Sequence, residues 1–129
     1  MFTHSDIISF HCYEAKDGTE KRILDLKRFG RPIICTEYMA RPLGSTFQEL
    51  LPLFRKYDIG AYNWGFVAGK SQTHCAWESW QTPTEQEPPV WFHDIFRPNG
   101  EAYDVKEVEF LKAFIKKEET TNALLQLVA

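Results

Sequence analysis

The sequence has little of what marks a nucleic-acid-binding, membrane or disulfide-rich protein. Its 129 residues carry a formal net charge of −3, so no basic excess indicates binding to nucleic acid. It has no apolar run long enough to span a membrane and no signal peptide at its start, so we expect a cytoplasmic chain if Met1 is the true start. Its three cysteines, Cys12, Cys35 and Cys75, include no CxxC pair. Buried free thiols are therefore expected at Cys12 and Cys35, which lie in strand-like segments, with no metal or other cofactor.

What the chain does contain is a threefold alternation of strand and helix patterns. Apolar, strand-like segments cover residues 6–13, 31–38 and 59–69, and helical patterns cover residues 19–30, 45–58 and 104–119. Such βαβ alternation predicts parallel strands joined by right-handed crossovers. Three parallel strands leave two open edges, so either the helices cover the sheet unusually well or the chain is part of a larger barrel. We expect one α/β domain, with βα units in about residues 5–116 and a helical or disordered tail in residues 117–129.

The last helical pattern gives two local predictions. Asp104 and Glu107 have the spacing of a capping box, in which each side chain bonds the backbone of the other residue. The apolar residues that follow at helical spacing predict a buried stripe, made of Val105, Val108, Leu111 and Ile115.

Polar and aromatic residues follow each predicted strand at its carboxyl end, where parallel α/β folds bind their ligands. Taken alone, the segment around Glu37 favours a solvated glutamate at a loop edge, and a hydrogen-bonded core histidine is an alternative interpretation of His11. Together, a carboxylate, aromatic rings and hydrogen-bonding groups suit a sugar site, because rings stack on pyranose faces and a carboxylate attacks the anomeric carbon. The candidate residues are His11, Tyr13, Glu37, Arg41, Asn63, Trp64, Lys70, Gln72 and Trp77.

Longer motifs make the sugar hypothesis more specific. The segments "RPIICTEYMARPLGSTF", "YNWGFVAGKSQT" and "PVWFHDIFRPNGEAYD" occur in this order. They resemble the C-terminal end of cellulase-like (β/α)8 glycoside hydrolases, in particular bacterial 1,4-β-xylanases and cellulase-family glycosyl hydrolases, over roughly residues 5–115. The resemblance implies a partial TIM barrel made of the last three βα units, and activity on β-linked plant-type glycans.

The resemblance also implies roles for the candidate residues. Glu37, on the seventh barrel strand, would be the nucleophile of a retaining mechanism, with His11 and Tyr13 on the sixth strand orienting it. Trp64, on the eighth strand, would form the sugar platform. The remaining candidates would contact substrate, although Trp77 also suits loop or core packing: Asn63, Arg41, Lys70, Gln72 and Trp77.

The chain departs from the family pattern at the proton donor. A retaining enzyme needs a second carboxyl group about 5–5.5 Å from the nucleophile, which in this family is a glutamate that follows an asparagine. No Asn-Glu pair occurs in the sequence. We therefore expect a fragment or subunit that is weakly active or inactive alone, with an oligo- or polysaccharide as substrate. Self-association, or binding to a chain that supplies the missing strands, would complete the barrel. The alternative is a non-catalytic carbohydrate-binding or self-assembling module.

Overall fold

The computed structural model describes residues 4–83 and 86–128, and the side chains of its last helix as far as residue 117. Strands and helices alternate in the predicted order. They are β1 (Ile8–His11), α1 (Lys16–Lys27), β2 (Ile33–Glu37), α2 (Phe47–Tyr57), β3 (Gly60–Ala61) and α3 (Val105–Val128), with short 3-10 turns at Arg41–Leu43 and Trp77–Trp80.

The strands form one three-stranded parallel sheet in the order β1-β2-β3. This confirms the prediction of parallel strands, and Glu37 lies at the carboxyl end of the middle strand. Residues 4–83 and 86–128 thus form an α/β fold with a short parallel sheet and three α-helices.

The third strand is much shorter than the predicted segment 59–69. It ends at Ala61, although the backbone N–H groups of Tyr62 and Trp64 still bond to carbonyl groups of residues 35 and 38. The chain then turns at Gly65, whose φ of +87° is rarely adopted by other residues. A Cβ atom at Gly65 would also lie 2.7 Å from Asp94 Oδ1, so only glycine fits where this turn meets a later segment.

The hydrophobic core lies between the sheet and the helices. In α2 the buried residues Phe47, Leu50 and Phe54 recur at helical spacing, which gives the helix one apolar face. Tyr38, just after β2, packs edge-on against the rings of Phe47 and Phe54 at 5.8 and 5.0 Å. Edge-to-face contacts of this kind stabilise aromatic pairs beyond the burial of their area. The core thus fixes the end of β2 against α2.

The start of α3 differs from the predicted capping box. Asp104 does cap the helix, since its Oδ1 accepts hydrogen bonds from the backbone of Lys106 and Glu107. The carboxylate of Glu107 instead pairs with Arg41, so the reciprocal half of the predicted capping box is wrong.

The predicted buried stripe of α3 is also wrong in part, because Val105 and Ile115 are exposed. The side chains of α3 that pack against the core are Val108, Phe110 and Leu111.

Arg41 anchors an irregular segment, residues 91–95, whose side chains are all buried. Its guanidinium donates hydrogen bonds to the carbonyl oxygens of Trp91 (3.1 Å) and Asp94 (2.9 Å) and to Glu107 Oε2 (3.0 Å). The same group lies 4.7 Å from the ring centroid of Tyr103. The Arg41 and Glu107 side chains are 9% and 4% exposed, so this is a buried ion pair. Its geometry is favourable because planar, multidentate hydrogen bonding suits a guanidinium.

We predict that Arg41→Met destabilises the protein strongly. It leaves the Glu107 carboxylate buried without its partner, and breaking one half of a buried pair costs about 3–5 kcal/mol. The measurement is the free energy of unfolding in urea.

The double variant Arg41→Met/Glu107→Leu is the matched control for this prediction. It removes both charges, so it should recover a large part of the lost stability. A single variant that stays within about 1 kcal/mol of the wild type would show that the pair does not anchor the segment.

Candidate functional site

A bulge in the sheet sets the position of Glu37. Phe10 pairs with Cys35 but His11 pairs with Glu37, so Thr36 is an extra residue in β2. The Thr36 hydroxyl lies 3.2 Å from the carbonyl oxygen of Phe10 and donates a hydrogen bond to it. Bulges redirect the side chains that follow them and are frequent beside functional sites. Here the bulge brings Glu37 opposite His11 at the carboxyl end of the sheet.

Two side chains from the end of β1 contact the Glu37 carboxylate. The Tyr13 hydroxyl donates a 2.7 Å hydrogen bond to Oε2, and His11 Nδ1 lies 3.3 Å from the same oxygen. The other oxygen, Oε1, takes part in neither contact, and the Glu37 side chain is 23% exposed. The carboxylate is therefore oriented by two neighbours while part of it stays accessible.

The electrostatics fix the direction of the Tyr13 hydrogen bond. Burial raises the pKa of Tyr13 above the ordinary tyrosine range, and the hydrogen bond to Glu37 and the charges of Glu37 and Cys35 raise the pKa further. Tyr13 is thus a neutral phenol that donates to a carboxylate. Such a charge-assisted bond is stronger than one between neutral groups.

An aromatic group borders Tyr13 on another side. The Tyr13 ring lies 5.1 Å from Trp77 and 5.4 Å from His93. Trp77 Nε1 donates a 3.1 Å hydrogen bond to His93 Nε2, and His93 Nδ1 bonds to the carbonyl oxygen of Met39. Since an indole can only donate and a carbonyl can only accept, His93 is neutral with its proton on Nδ1. Burial also lowers the pKa of His93, which favours the neutral form.

We call His11, Tyr13, Glu37, Trp77 and His93 the Glu37 cluster. His93 is the member that the sequence analysis does not single out. Its neighbour Asp94 has a separate partner, since the Asp94 carboxylate bonds to Thr73. The available signal was a histidine inside the apolar run 90–96, which has to find partners when it is buried.

Among the other predicted site residues, Arg41 has a different role from the one expected. Its guanidinium belongs to the buried ion pair with Glu107 and to the carbonyl contacts of segment 91–95. The structure therefore shows a structural role for Arg41, and a sugar contact of this residue stays a prediction. Asn63 also bonds within the protein, through Nδ2 to the carbonyl oxygen of Gly65.

The remaining candidates lie on the surface. The Trp64 backbone bonds to Tyr38 and the residue is 45% exposed, and among the described residues no hydrogen bond or ring contact links its side chain to the Glu37 cluster. Lys70 and Gln72 are exposed in the loop that follows. Of the nine predicted residues, the structure thus brings His11, Tyr13, Glu37 and Trp77 together.

The carboxylates close to the end of β1 in sequence have partners of their own. Glu14 pairs with Arg22 at 2.8 Å, and Glu20 bonds to Lys56 at 2.8 Å and to Tyr57 at 2.6 Å. Neither is a proton donor in contact with Glu37.

In the part of the chain that the structure describes, no group of three or more histidine, cysteine or acidic residues is arranged to hold a metal ion. No helix within residues 4–83 and 86–128 has the length and apolarity needed to cross a membrane.

We predict that Tyr13 makes the stability of the protein fall at high pH. Its pKa is raised in the folded state, so above about pH 10 the unfolded chain loses this proton first, and the stabilisation is lost as the pH rises towards the folded pKa. Tyr13→Phe should therefore flatten the decline in the free energy of unfolding, measured in urea at several pH values from about 8 to 11.

The decline should not vanish in this variant. Burial raises the pKa of Tyr38 as well, and raises that of the Cys35 thiol to about 12. Both groups remain in Tyr13→Phe, so only the difference between the two proteins reports on Tyr13. Parallel curves for the wild type and the variant would contradict the prediction.

The chain was compared with family models, with curated proteins and with solved structures, and no match was found in any of the three.

Proposed function

We propose that this chain is the C-terminal part of a (β/α)8 retaining glycoside hydrolase that acts on β-linked plant-type glycans, with Glu37 as its nucleophile. The observation that carries the proposal is the environment of Glu37. Its carboxylate lies at the carboxyl end of the middle parallel strand and is oriented through one oxygen by Tyr13 and His11. Ligand sites of parallel α/β folds occur at this end of the strands. The motif resemblance supports the same assignment.

In this proposal Glu37 attacks the anomeric carbon and forms a glycosyl ester, which water then hydrolyses. Tyr13 and His11 hold the carboxylate in one orientation, so that little freedom is lost on reaching the transition state. Because Tyr13 stays neutral, it remains a donor to Glu37 throughout the reaction. The proton donor would come from strands outside this chain, since Glu14 and Glu20 are engaged elsewhere.

Trp77 is the better sugar platform of the two candidate tryptophans. Trp77 is 46% exposed, its ring contacts Tyr13, and its indole N–H is fixed by His93. A ring that is half exposed and held in place loses little entropy when a pyranose stacks on it. Trp64, although equally exposed, makes no described contact with the Glu37 cluster.

The same observation on Trp77 favours a second candidate function, a carbohydrate-binding module without catalysis. An oriented aromatic platform beside polar groups is sufficient for binding sugars. The two functions differ in whether Glu37 reacts covalently.

We predict that a 2-deoxy-2-fluoro-β-xyloside with a dinitrophenolate leaving group labels Glu37. Such a leaving group departs without protonation, so the missing acid/base is not required, and the fluorine slows hydrolysis of the ester. Intact mass spectrometry should show one added fluoroxylosyl group, and peptide mapping should place it on Glu37.

Two variants control the labelling experiment. Glu37→Gln should remain unlabelled, whereas Glu14→Gln, which changes an exposed carboxylate paired with Arg22, should be labelled like the wild type. A wild-type protein that stays unlabelled, or is labelled elsewhere, contradicts the nucleophile assignment. If xylo-oligosaccharides then change the tryptophan fluorescence of the wild type but not of Trp77→Ala, the binding module is the correct function.

We further propose that the chain associates with a second copy or with a chain that supplies further strands. β1 and β3 are the outer strands of the sheet, so each has one edge without a neighbouring strand within the described residues. Large apolar side chains near the ends of these strands are exposed, namely Ile7, Tyr62, Trp64, Phe66 and Val67. In a closed barrel such edges would be paired.

We predict self-association that weakens when a charge is placed beside β3. Tyr62→Lys should shift the assembly towards monomer, because a charge at a strand edge disfavours pairing. Leu24→Lys, on an exposed position of α1, is the matched control and should assemble as the wild type does. Light scattering across a dilution series measures the effect, and a wild-type monomer at all concentrations would contradict it.

A further inference from the structure

A second group of reactive side chains lies outside the Glu37 cluster. It consists of His74 and Cys75, in the loop after β3, and Asp94, in the buried segment 91–95. The Cys75 Sγ atom lies 3.6 Å from His74 Nε2, which is within hydrogen-bond distance for sulfur. On the other side of the ring, His74 Nδ1 lies 3.7 Å from Asp94 Oδ2. A thiol, an imidazole and a carboxylate thus follow one another in the order that activates a cysteine nucleophile.

The carboxylate end of this arrangement is fixed. The Asp94 side chain is fully buried, and the Thr73 hydroxyl lies 2.9 and 2.8 Å from its two oxygens. His74 Nδ1 is itself buried and has no hydrogen-bond partner. The His74 ring packs against Trp91 at 5.0 Å, which holds it in this position. A proton on Nδ1 would therefore lie in a buried region with the Asp94 carboxylate 3.7 Å away.

This environment determines the role of His74. The Asp94 carboxylate favours the tautomer with the proton on Nδ1, so the lone pair of Nε2 is available to the Cys75 thiol. When the thiol proton moves to Nε2, the resulting imidazolium lies between the thiolate and the carboxylate. Both negative groups stabilise it, and a thiolate beside a histidinium is the reactive form of cysteine.

The thiol faces a cavity of a size suited to a small molecule. The cavity has a volume of about 430 Å³ and includes Cys75 and His74 in its wall. Its other polar wall residues are Gln72, Gln86, Glu87 and Arg97. Glu87 and Arg97 pair at 3.0 Å, so this side of the wall carries both charges. Such a lining suits a small ligand with amide, ammonium and carboxylate groups.

We propose that Cys75 is a nucleophilic thiol that exchanges with small polar disulfides in this cavity, with His74 as its proton acceptor and Asp94 as the residue that positions His74. The Cys75 proton moves to His74 Nε2, and the thiolate attacks one sulfur of the disulfide. A new S–S bond forms to Cys75 while the S–S bond of the disulfide breaks. The second half leaves as a thiolate and takes the proton from His74. Cys75 is oxidised to a mixed disulfide, and the leaving half is reduced to a thiol.

The other two cysteines provide an internal comparison. Cys12 and Cys35 are free but buried. Burial raises the pKa of the Cys35 thiol to about 12, so this thiol stays protonated and inert near neutral pH. The Cys12 sulfur lies 3.3 Å from the Thr19 hydroxyl and also contacts Arg22, but Cys12 is only 4% exposed, so burial keeps a dissolved disulfide from reaching it. The folded chain should therefore react at Cys75 alone.

Oxidised glutathione is the probe for this proposal. The folded protein is mixed with excess probe at pH 7, samples are quenched with acid, and mass spectrometry with peptide mapping follows the mixed disulfide at each cysteine. An unassisted thiol with a pKa of about 8.5 is only a few per cent ionised at this pH, so we expect Cys75 to react roughly tenfold faster than Cys75 in His74→Phe. That variant keeps a ring against Trp91 but lacks Nε2, and Cys75→Ser should form no adduct in the folded state.

A second comparison needs no variant. In urea the contacts to His74 are lost, so Cys75 of the unfolded wild type should react several-fold more slowly than Cys75 of the folded protein, whereas Cys12 and Cys35 should react faster than they do when folded. Equal rates for Cys75 in the wild type and in His74→Phe would overturn the proposal. If His74→Phe does not fold, a Cys75 rate no higher in the folded wild type than in the unfolded wild type overturns it instead. The outcome is independent of the glycosidase assignment, because neither Cys75 nor His74 contacts Glu37.

Discussion

The buried ion pair between Arg41 and Glu107 holds together parts of the protein that are remote in sequence. Arg41 lies just after β2 and Glu107 lies in the first turn of α3, 66 residues later. The same guanidinium donates hydrogen bonds to two carbonyl groups of segment 91–95. This segment is neither helix nor strand, so its buried carbonyl groups need partners from elsewhere in the protein. Two buried charges are costly unless their hydrogen bonds are complete, and these carbonyl contacts help to complete them.

Consecutive residues of segment 91–95 belong to two different clusters. One is the Glu37 cluster, and the other consists of His74, Cys75 and Asp94. His93 accepts the indole hydrogen bond of Trp77 and so borders Tyr13 and Glu37. Asp94, the next residue, faces His74 and is held by Thr73. Neither side chain could be buried here if the backbone between them were not fixed. The geometry of both clusters therefore depends on the same anchored stretch of chain.

Sequence reasoning succeeded where the information is local. The alternation of strand and helix patterns predicted three parallel strands in chain order, and the strand-like run that ends at Glu37 placed this carboxylate at the carboxyl end of the sheet. It failed where distant residues decide. Glu107 has the spacing of a capping residue but pairs with Arg41 instead, and β3 ends at Ala61, before the turn at Gly65 that packs against Asp94. The bulge at Thr36, which aligns His11 with Glu37, likewise depends on the neighbouring strand. Periodicity and propensity carry no signal for such pairings.

Whether a substitution affects one cluster or both should depend on its position, because both clusters include a residue of segment 91–95. Tyr13 belongs to the Glu37 cluster, and His74 belongs to the cluster with Cys75 and Asp94. A substitution at either position should therefore alter its own cluster and leave the other in place. A change at Arg41 removes the hydrogen bonds that anchor segment 91–95, so we expect it to displace His93 and Asp94 together. Effects at the two clusters should add when they arise from Tyr13 and His74, and should be strongly non-additive when Arg41 is one of the changed residues. We therefore expect coupling between the clusters to run through the backbone of segment 91–95 that Arg41 anchors.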